Sequence, residues 1–571
     1  MEILRYNFQD YLPRIKQILE ECDFIAIDTE LSGLHKNPIH HKITRHDSLE
    51  QRYVQVRVAT SSYLVLQIGI CPFRWDSEQG AYIAYPFNFY IFPSGSESAF
   101  MCKPTALEFL SKNGFDFNKW VYNGIPYLTL EQESELREKK MRIFNSNLPD
   151  IRIDPKEESF IENSIKDIES WLEKEPDISN CLNIATKNSY QRRLLYQIIR
   201  TNFPQLDTEG RQGFIRIIPS SQELRQKKHE ERMEALENDI IKAKGFRYII
   251  DIICHLGKPI IGHNFWLDLC HIYAQFVKPL PAGFSDCKRA LNQLFPFVYD
   301  TKYICASEKF KCWINDSNLV ELEERLHREP FTEPKIEINV HHCRYSIQNP
   351  AHEAGYDAFM TGVVFLKLAG FLHSPPDEKT EKTIVEKDIA NESVDAEDIP
   401  MLPVSECTSY VEYENEDNGE KEEGEWTEDE WSEDDNTMPT TVEHPSSQPL
   451  PLFDSDLLKP FLNRLNLSRN TIMHIYLEGD EDVSPIDNVF HLFSLSESIH
   501  APELQTYFGS FGNYEIEWHQ DSECFITFEQ LTLEPTEVML KVREKMGADR
   551  VFEIETLSEW RKRMLESMSD L

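Results

Sequence analysis

Between Asp377 and Asp435 the chain gathers about half of its formal net charge of −39, with few lysines and no arginine. Like charges at that density repel one another and leave too little apolar surface to offset the entropy of ordering a backbone. The composition therefore predicts a disordered acidic linker over residues 374–450. Folded structure must lie on either side of it, and 571 residues are in any case too many for a single core. With the linker set apart, the remainder is only moderately acidic. Contact with a polyanion is then open to local basic patches.

Before the linker, apolar spacing predicts a helix over Phe8–Glu21, and short apolar runs predict strands at Phe24–Thr29, Tyr63–Ile70 and Asn88–Pro93. A helix over Phe246–Leu256, a strand over Lys258–Gly262 and a helix from Phe265 continue the alternation. Strands alternating with helices give a mixed α/β layer fold across residues 1–157 and 244–373. Residues 158–243 differ in character. They hold a basic amphipathic helix at Ser189–Thr201, a short strand at Phe214–Pro219 and a highly charged helix at Gln222–Lys244, and they read as an inserted module. After the linker, residues 451–546 read β-α-β-β-α, the order of an RRM-like α+β unit, with a tail over 547–571.

Other classes are disfavoured. Met1 to Arg5 carries an acid early and predicts no signal peptide, and the apolar run Met360–Leu372 is short and broken by Lys367, so no membrane span is expected. Twelve cysteines without C-x-x-C spacing read as reduced thiols. The expected compartments are nucleus and cytoplasm.

Asp28 and Glu30 end the run Phe24-Ile25-Ala26-Ile27 and stand two apart on a strand, so both side chains leave one face. Carboxylates aimed at one point repel unless cations sit between them. Asn264 and Asp268, four apart, share a helix face. His352 precedes Asp357 by five, a spacing that works if His352 lies on the loop before a helix, with Gly355 easing the turn. Divalent cations would compensate such acids, and a pair of them can grip the attacking and leaving oxygens of an in-line displacement. Mg²⁺ suits a site of few carboxylates, phosphate oxygens and water. A nearby histidine can take a proton from the attacking water. Singly, each piece reads as a strand acid, a helix cap or a loop histidine. Jointly, their order points to metal-dependent phosphodiester cleavage.

These segments resemble the DEDD exonucleases of the histidine-bearing subtype, whose motifs end in D-x-E, N-x3-D and H-x4-D. More narrowly, Asp28-Thr29-Glu30-Leu31-Ser32-Gly33-Leu34, Ile261-Gly262-His263-Asn264, Pro279-Leu280-Pro281 and His352-Glu353-Ala354-Gly355-Tyr356-Asp357 look like the poly(A)-specific ribonuclease branch of the DEDD deadenylases. The resemblance implies an RNase H-like nuclease fold in two parts, an inserted single-strand-binding module of the Arg-x3-His type, a C-terminal RRM-like domain and a homodimer. It also implies 3′-to-5′ removal of nucleotides from poly(A), releasing 5′-AMP. Two Mg²⁺ ions, replaceable by Mn²⁺, would be held by Asp28, Glu30, Asp268 and Asp357, with His352 as general base. Lys302 falls where the family places a basic RNA contact, Arg192 and Arg193 would serve the inserted module, and Trp518 resembles the tryptophan that stacks on the 5′ cap.

The chain departs from the pattern in three places. Tyr196 stands where the inserted signature has histidine. The strand bearing Phe525 and Phe528 lacks the basic residue of an RNA-reading sheet, and that spacing should send the two rings to opposite faces. Leu31 replaces an aromatic beside the first acidic pair, which weakens adenine stacking there. Trimming of small silencing RNA precursors or other non-coding RNA is the alternative within this chemistry. A non-catalytic RNA- or cap-binding scaffold is the alternative outside it.

Overall fold

The computed structural model describes residues 1–35, 43–94, 99–144, 150–176, 180–219, 222–331, 333–342, 344–347, 350–375, 450, 452–453, 455–481, 486–496, 499–531, 533–547 and 550–568. The linker expected over 374–450 lies almost wholly outside them. The apolar runs of the first ninety or so residues form β1 Glu2–Ile3, β2 Phe24–Leu31, β3 Val65–Asp76, β4 Ala81–Ala84 and β5 Phe87–Tyr90. β2 pairs antiparallel with β3, from Phe24 opposite Phe73 to Leu31 opposite Val65. The strands are apolar on both faces because helices cover both, as a central sheet requires.

The inserted unit is larger than its composition suggests. Helices Leu130–Phe144 and Gln222–Lys244 run antiparallel as a stalk, tied by Arg137–Glu237 at 2.6 Å and Lys140–Asp239 at 2.7 Å. A bridge between Tyr127 and Gly245 closes its neck. The boundary expected at residue 157 therefore falls inside the insertion, because Leu130–Phe144 packs on the returning helix instead of the main sheet. Beyond the stalk, β6 Leu182–Ala185, β7 Leu206–Arg211 and β8 Phe214–Pro219 form a sheet of order β6-β8-β7. Its small core contains Ile168, Leu195, Ile199 and Ile217.

β9 Ile260–Gly262, β10 Val298–Asp300 and β11 Ile336–Ile338 return to the main sheet, giving the order β1-β5-β3-β2-β9-β10 with β4 and β11 beside it. Helix Ala354–His373 crosses β2 and β3. Its length and composition would suit a membrane span, but 94% of that window is buried in the protein. Lys367, the break in its apolar run, donates to the Pro334 carbonyl at 2.9 Å.

Two further boundaries are corrected. β12 Arg464–Asn466 and β13 His474–Tyr476 form a hairpin whose Leu465, Leu467, Ile475 and Leu477 join the main core, so residues 455–481 belong with the nuclease-like part. Lys288 and Glu481, both buried, clamp its far end at 2.9 Å. The last sheet, β14 Val489–Phe493, β15 Tyr514–Gln520, β16 Glu523–Phe528 and β17 Glu553–Thr556, has the order β15-β16-β14-β17. Its fourth strand and the helix Leu557–Ser567 come from the stretch read as a tail. They are ordered there because β17 pairs with β14 and Trp560 buries its ring edge-on against Phe525. Phe528 points to the opposite side, into the helix-covered core. The Phe525 face also meets the main domain, where His46 packs on Phe525 and Glu517 pairs with Arg45 at 2.6 Å.

Candidate active site

Asp28 and Glu30 leave β2 on one face near its end, partly buried. What brings Asp357 to them is a glycine. Gly69 is the cross-strand partner of Asp28, and a Cβ there would stand 1.7 Å from the Ala354 carbonyl oxygen, so the helix Ala354–His373 can begin directly over it. The leading amides of that helix need partners, because no earlier turn supplies them. Gln67 Oε1 accepts from Ala354 at 2.9 Å and Asn88 Oδ1 accepts from Gly355 at 3.2 Å. Both side chains are buried in otherwise apolar strands. Asp357 follows in the first turn, where the helix dipole favours a negative charge.

Carboxylate oxygens of Asp28, Glu30 and Asp357 all lie within 4.8 Å of one another. Asp268, on the helix Trp266–Ile272, stands beside them and accepts a hydrogen bond from Thr29 Oγ1. Burial first, and then the charges of Asp357 and Asp268, push Asp28 and Glu30 well above the ordinary carboxylate range. Burial likewise raises Asp268 and Asp357 to about 7, against the pull of Thr29 on the one and of the His352 amide on the other. Among the described residues no lysine or arginine forms a salt bridge with any of the four. Four converging acids without a protein cation suit a divalent metal.

His352 occupies the turn before the helix, with φ 66°, and its amide donates to Asp357 Oδ1 at 3.3 Å. The left-handed conformation thus falls on the histidine itself. Gly355, expected to ease that turn, does something else: a Cβ there would meet the Tyr345 hydroxyl at 2.5 Å and Asn88 Cβ at 2.8 Å. The His352 ring packs edge-on against Phe109, centroids 4.8 Å apart, and burial holds its pKa below 6.5.

A cleft of about 990 Å³ opens over this cluster, lined by Glu30, Leu31, Asp268, His263 and Lys302 among others. His263 is structural. Its Nε2 lies 3.0 Å from the Ser317 carbonyl, which can only accept, and burial drops its pKa to about 3. Asp300, fully buried, accepts from the amides of Asn264, Phe265, Lys302 and Asn466 at 2.9–3.0 Å and so fixes the turn leading to Asp268. The sequence reading assigns Asp300 no role. The signal for Asp300, Gln67 and Asn88 is the same: a polar side chain inside or at the end of an apolar strand must have a buried partner.

Three other expected contacts lie away from this cluster. Arg192 ties helix Ser189–Asn202 to the β7–β8 hairpin by donating to the Arg211 and Phe214 carbonyls, and Arg193 is exposed on the same helix. Arg192, expected as an RNA contact of the inserted module, thus also braces that unit. Trp518, 41% exposed, stands on the edge strand β15 of the last sheet.

Comparison with known proteins places this geometry. The model of the CAF1 family of ribonucleases matches residues 3–365. The poly(A)-specific ribonuclease PARN of Homo sapiens is 30% identical over 597 residues, spanning 99% of this chain and 81% of its own length. That of Xenopus laevis is 29% identical over 591 residues, with 98% and 81% spanned. The pre-piRNA 3′-exonuclease trimmer of Bombyx mori, 28% identical, spans only 64% of this chain and 71% of its own. The chain belongs to the CAF1 ribonuclease family, and its mixed main sheet is that family's RNase H-like nuclease fold. Within the family it is of the PARN type, the poly(A)-specific branch, along nearly its whole length.

Proposed function

We propose that the chain removes nucleotides from the 3′ end of adenylated RNA, releasing 5′-AMP, with Asp28, Glu30, Asp268 and Asp357 holding two Mg²⁺ ions that Mn²⁺ can replace. The observation that carries this is the convergence of Asp28, Glu30 and Asp357 within 4.8 Å, with no pairing cation among the described residues. When bound, the metals supply charge stabilisation at the scissile phosphate and a more acidic water. The protein's own groups do the remainder. His352, neutral at pH 7, accepts the proton of the attacking water. Lys302 draws the substrate phosphate into the cleft, and Leu31 offers the terminal base an apolar wall without strong stacking.

The inserted unit serves as a single-strand-binding module, with Arg193 among its exposed cations, and the last sheet as an RRM-like domain. Trp518 is placed for stacking on the positively charged base of a 5′ cap. The working unit is a homodimer, acting on RNA in nucleus and cytoplasm. Trimming of small silencing RNA precursors is the second reading, supported by the trimmer relative over 64% of the chain. All four acids and His352 are present, which weighs against a non-catalytic scaffold.

The test is a 5′-labelled A-tailed RNA incubated with Mg²⁺. The wild-type chain yields a descending ladder and 5′-AMP, while Asp28→Ala yields neither. Full activity in Asp28→Ala overturns the site.

A further inference from the structure

The cleft has a second wall that the acids do not explain. Arg52, Lys103, Lys302 and Arg469 all line it, and among the described residues none of them forms a salt bridge with a carboxylate. In a chain of net charge −39 that grouping is unusual. Arg52, Lys103 and Arg469 also converge in space. After burial, it is their three charges that lower the pKa of His35, another lining residue. Like charges gathered at one point imply an anion, as converging acids imply a cation.

Arg469 comes from far along the chain, yet it is firmly held. Asn466 Nδ2 and Ser468 Oγ both donate to Asn264 Oδ1, at 2.8 and 2.9 Å, and the Asn466 amide donates to Asp300. Arg52 Nη2 donates to the Ser468 carbonyl at 2.7 Å. Arg469 itself adopts φ 55°, a left-handed conformation that costs a residue with a Cβ free energy and persists only where its surroundings dictate it. Asn264 is left-handed too, at φ 57°, and it precedes the helix that carries Asp268. The segment 463–469 therefore shapes the approach to Asp268 and presents a guanidinium to the cleft.

We infer that the segment 463–469, rejoining the nuclease after the acidic stretch, completes the catalytic cleft, and that Arg469 with Arg52 and Lys103 binds the phosphodiester backbone of the RNA upstream of the scissile nucleotide. The inference rests on the nuclease reading above and adds a binding subsite to it. A phosphate strand entering over these cations would lead its 3′ end to the acids below, so one cleft holds both charges the substrate needs.

The experiment compares wild type, Arg469→Glu and Lys103→Glu in the full chain, with Mg²⁺, on a long oligo(A) and on tri-adenylate. Lys103 is exposed on a separate element, so its variant reports charge without disturbing the segment. Both variants are expected to raise KM for the long substrate about tenfold or more while kcat falls less than about twofold. Each should also flatten the log KM against log salt slope by about 0.7, the share of one lost phosphate contact on a single strand. Tri-adenylate, too short to reach the subsite, should show the smaller KM change. A merely structural role would lower kcat and thermal midpoint together on both substrates, and that result overturns the inference. So does an active wild type whose KM and salt slope are matched by both variants. A wild-type chain that leaves both RNAs intact defeats the nuclease reading itself.

Discussion

Asp300 Oδ2 accepts a hydrogen bond from the backbone amide of Asn466 at 2.9 Å, joining the end of β10 to a strand 166 residues later. The same buried carboxylate holds the amides of Asn264, Phe265 and Lys302. One acceptor group thus sets the turn before Asp268, the start of the Lys302 helix and the docking of segment 463–469. In Asp300→Asn one oxygen becomes an amino group that faces amide donors, leaving buried N–H groups unsatisfied at about 1–3 kcal/mol each. Urea denaturation should show a loss of about 3 kcal/mol or more, with activity falling well beyond what the lost stability explains. A variant within experimental error of wild type in both would show that the turn is held by other means.

Thr29 faces Asp268 and donates its hydroxyl proton to that carboxylate. The bond counters the burial that raises Asp268, so it favours the ionised form that a metal requires. Thr29→Val keeps the shape and removes the donor. The Mg²⁺ concentration for half-maximal activity should rise about tenfold at pH 7, in the range found for lost partners of metal-binding carboxylates. Titration of activity against Mg²⁺ checks it, and an unchanged midpoint would detach Thr29 from the metal site.

Gly69 lies under the first turn of the helix that carries Asp357. Its replacement by alanine puts a methyl 1.7 Å from the Ala354 carbonyl oxygen and 2.6 Å from the Gly355 nitrogen, both of them main-chain atoms. Neither can rotate away, so the helix start must lift from β3. Overpacking of this kind costs about 1–3 kcal/mol. The larger effect should be catalytic, a loss of about a hundredfold or more, because Asp357 moves with the helix while Asp28 stays on the sheet. Thermal melts and single-turnover cleavage, run where the variant is still folded, separate the two effects.

The alternation of strands and helices, the shared face of Asp28 and Glu30 and the opposed rings of Phe525 and Phe528 are readable from the chain, because each follows from a local period. What escapes such reading is set by tertiary contact. Leu465, Leu467, Ile475 and Leu477 have the spacing of any short strand, and nothing local says that they bury against the first domain instead of the last. Arg192 looks like a solvent-facing cation until the β7–β8 hairpin folds back over its guanidinium. The strand β17 is missed because β14, its only described partner, lies some sixty residues earlier. Gln67 and Asn88 carried a usable signal, since polar side chains seldom sit inside strands that are apolar on both faces.

The acids also fix how stability should respond to pH and metal. Burial raises Asp268 and Asp357 to about 7, and Asp28 and Glu30 are raised as well, whereas in the unfolded chain such groups titrate near 4. Between those values the folded protein binds more protons than the unfolded one, so metal-free stability falls as pH rises. The contribution is complete below about pH 4 and is lost as pH passes through about 7. A divalent cation competes with those same protons and should therefore stabilise the fold more at high pH. In chelator, the thermal midpoint should drop from pH 6 to pH 8; in millimolar Mg²⁺ the drop should be much smaller. The informative quantity is the difference between the two curves, since titrations elsewhere in the chain cancel from it. An Mg²⁺ increment that is the same at pH 6 and pH 8 would mean that the four carboxylates are not where the metal binds. In Asp28→Asn/Asp357→Asn the increment should vanish at both.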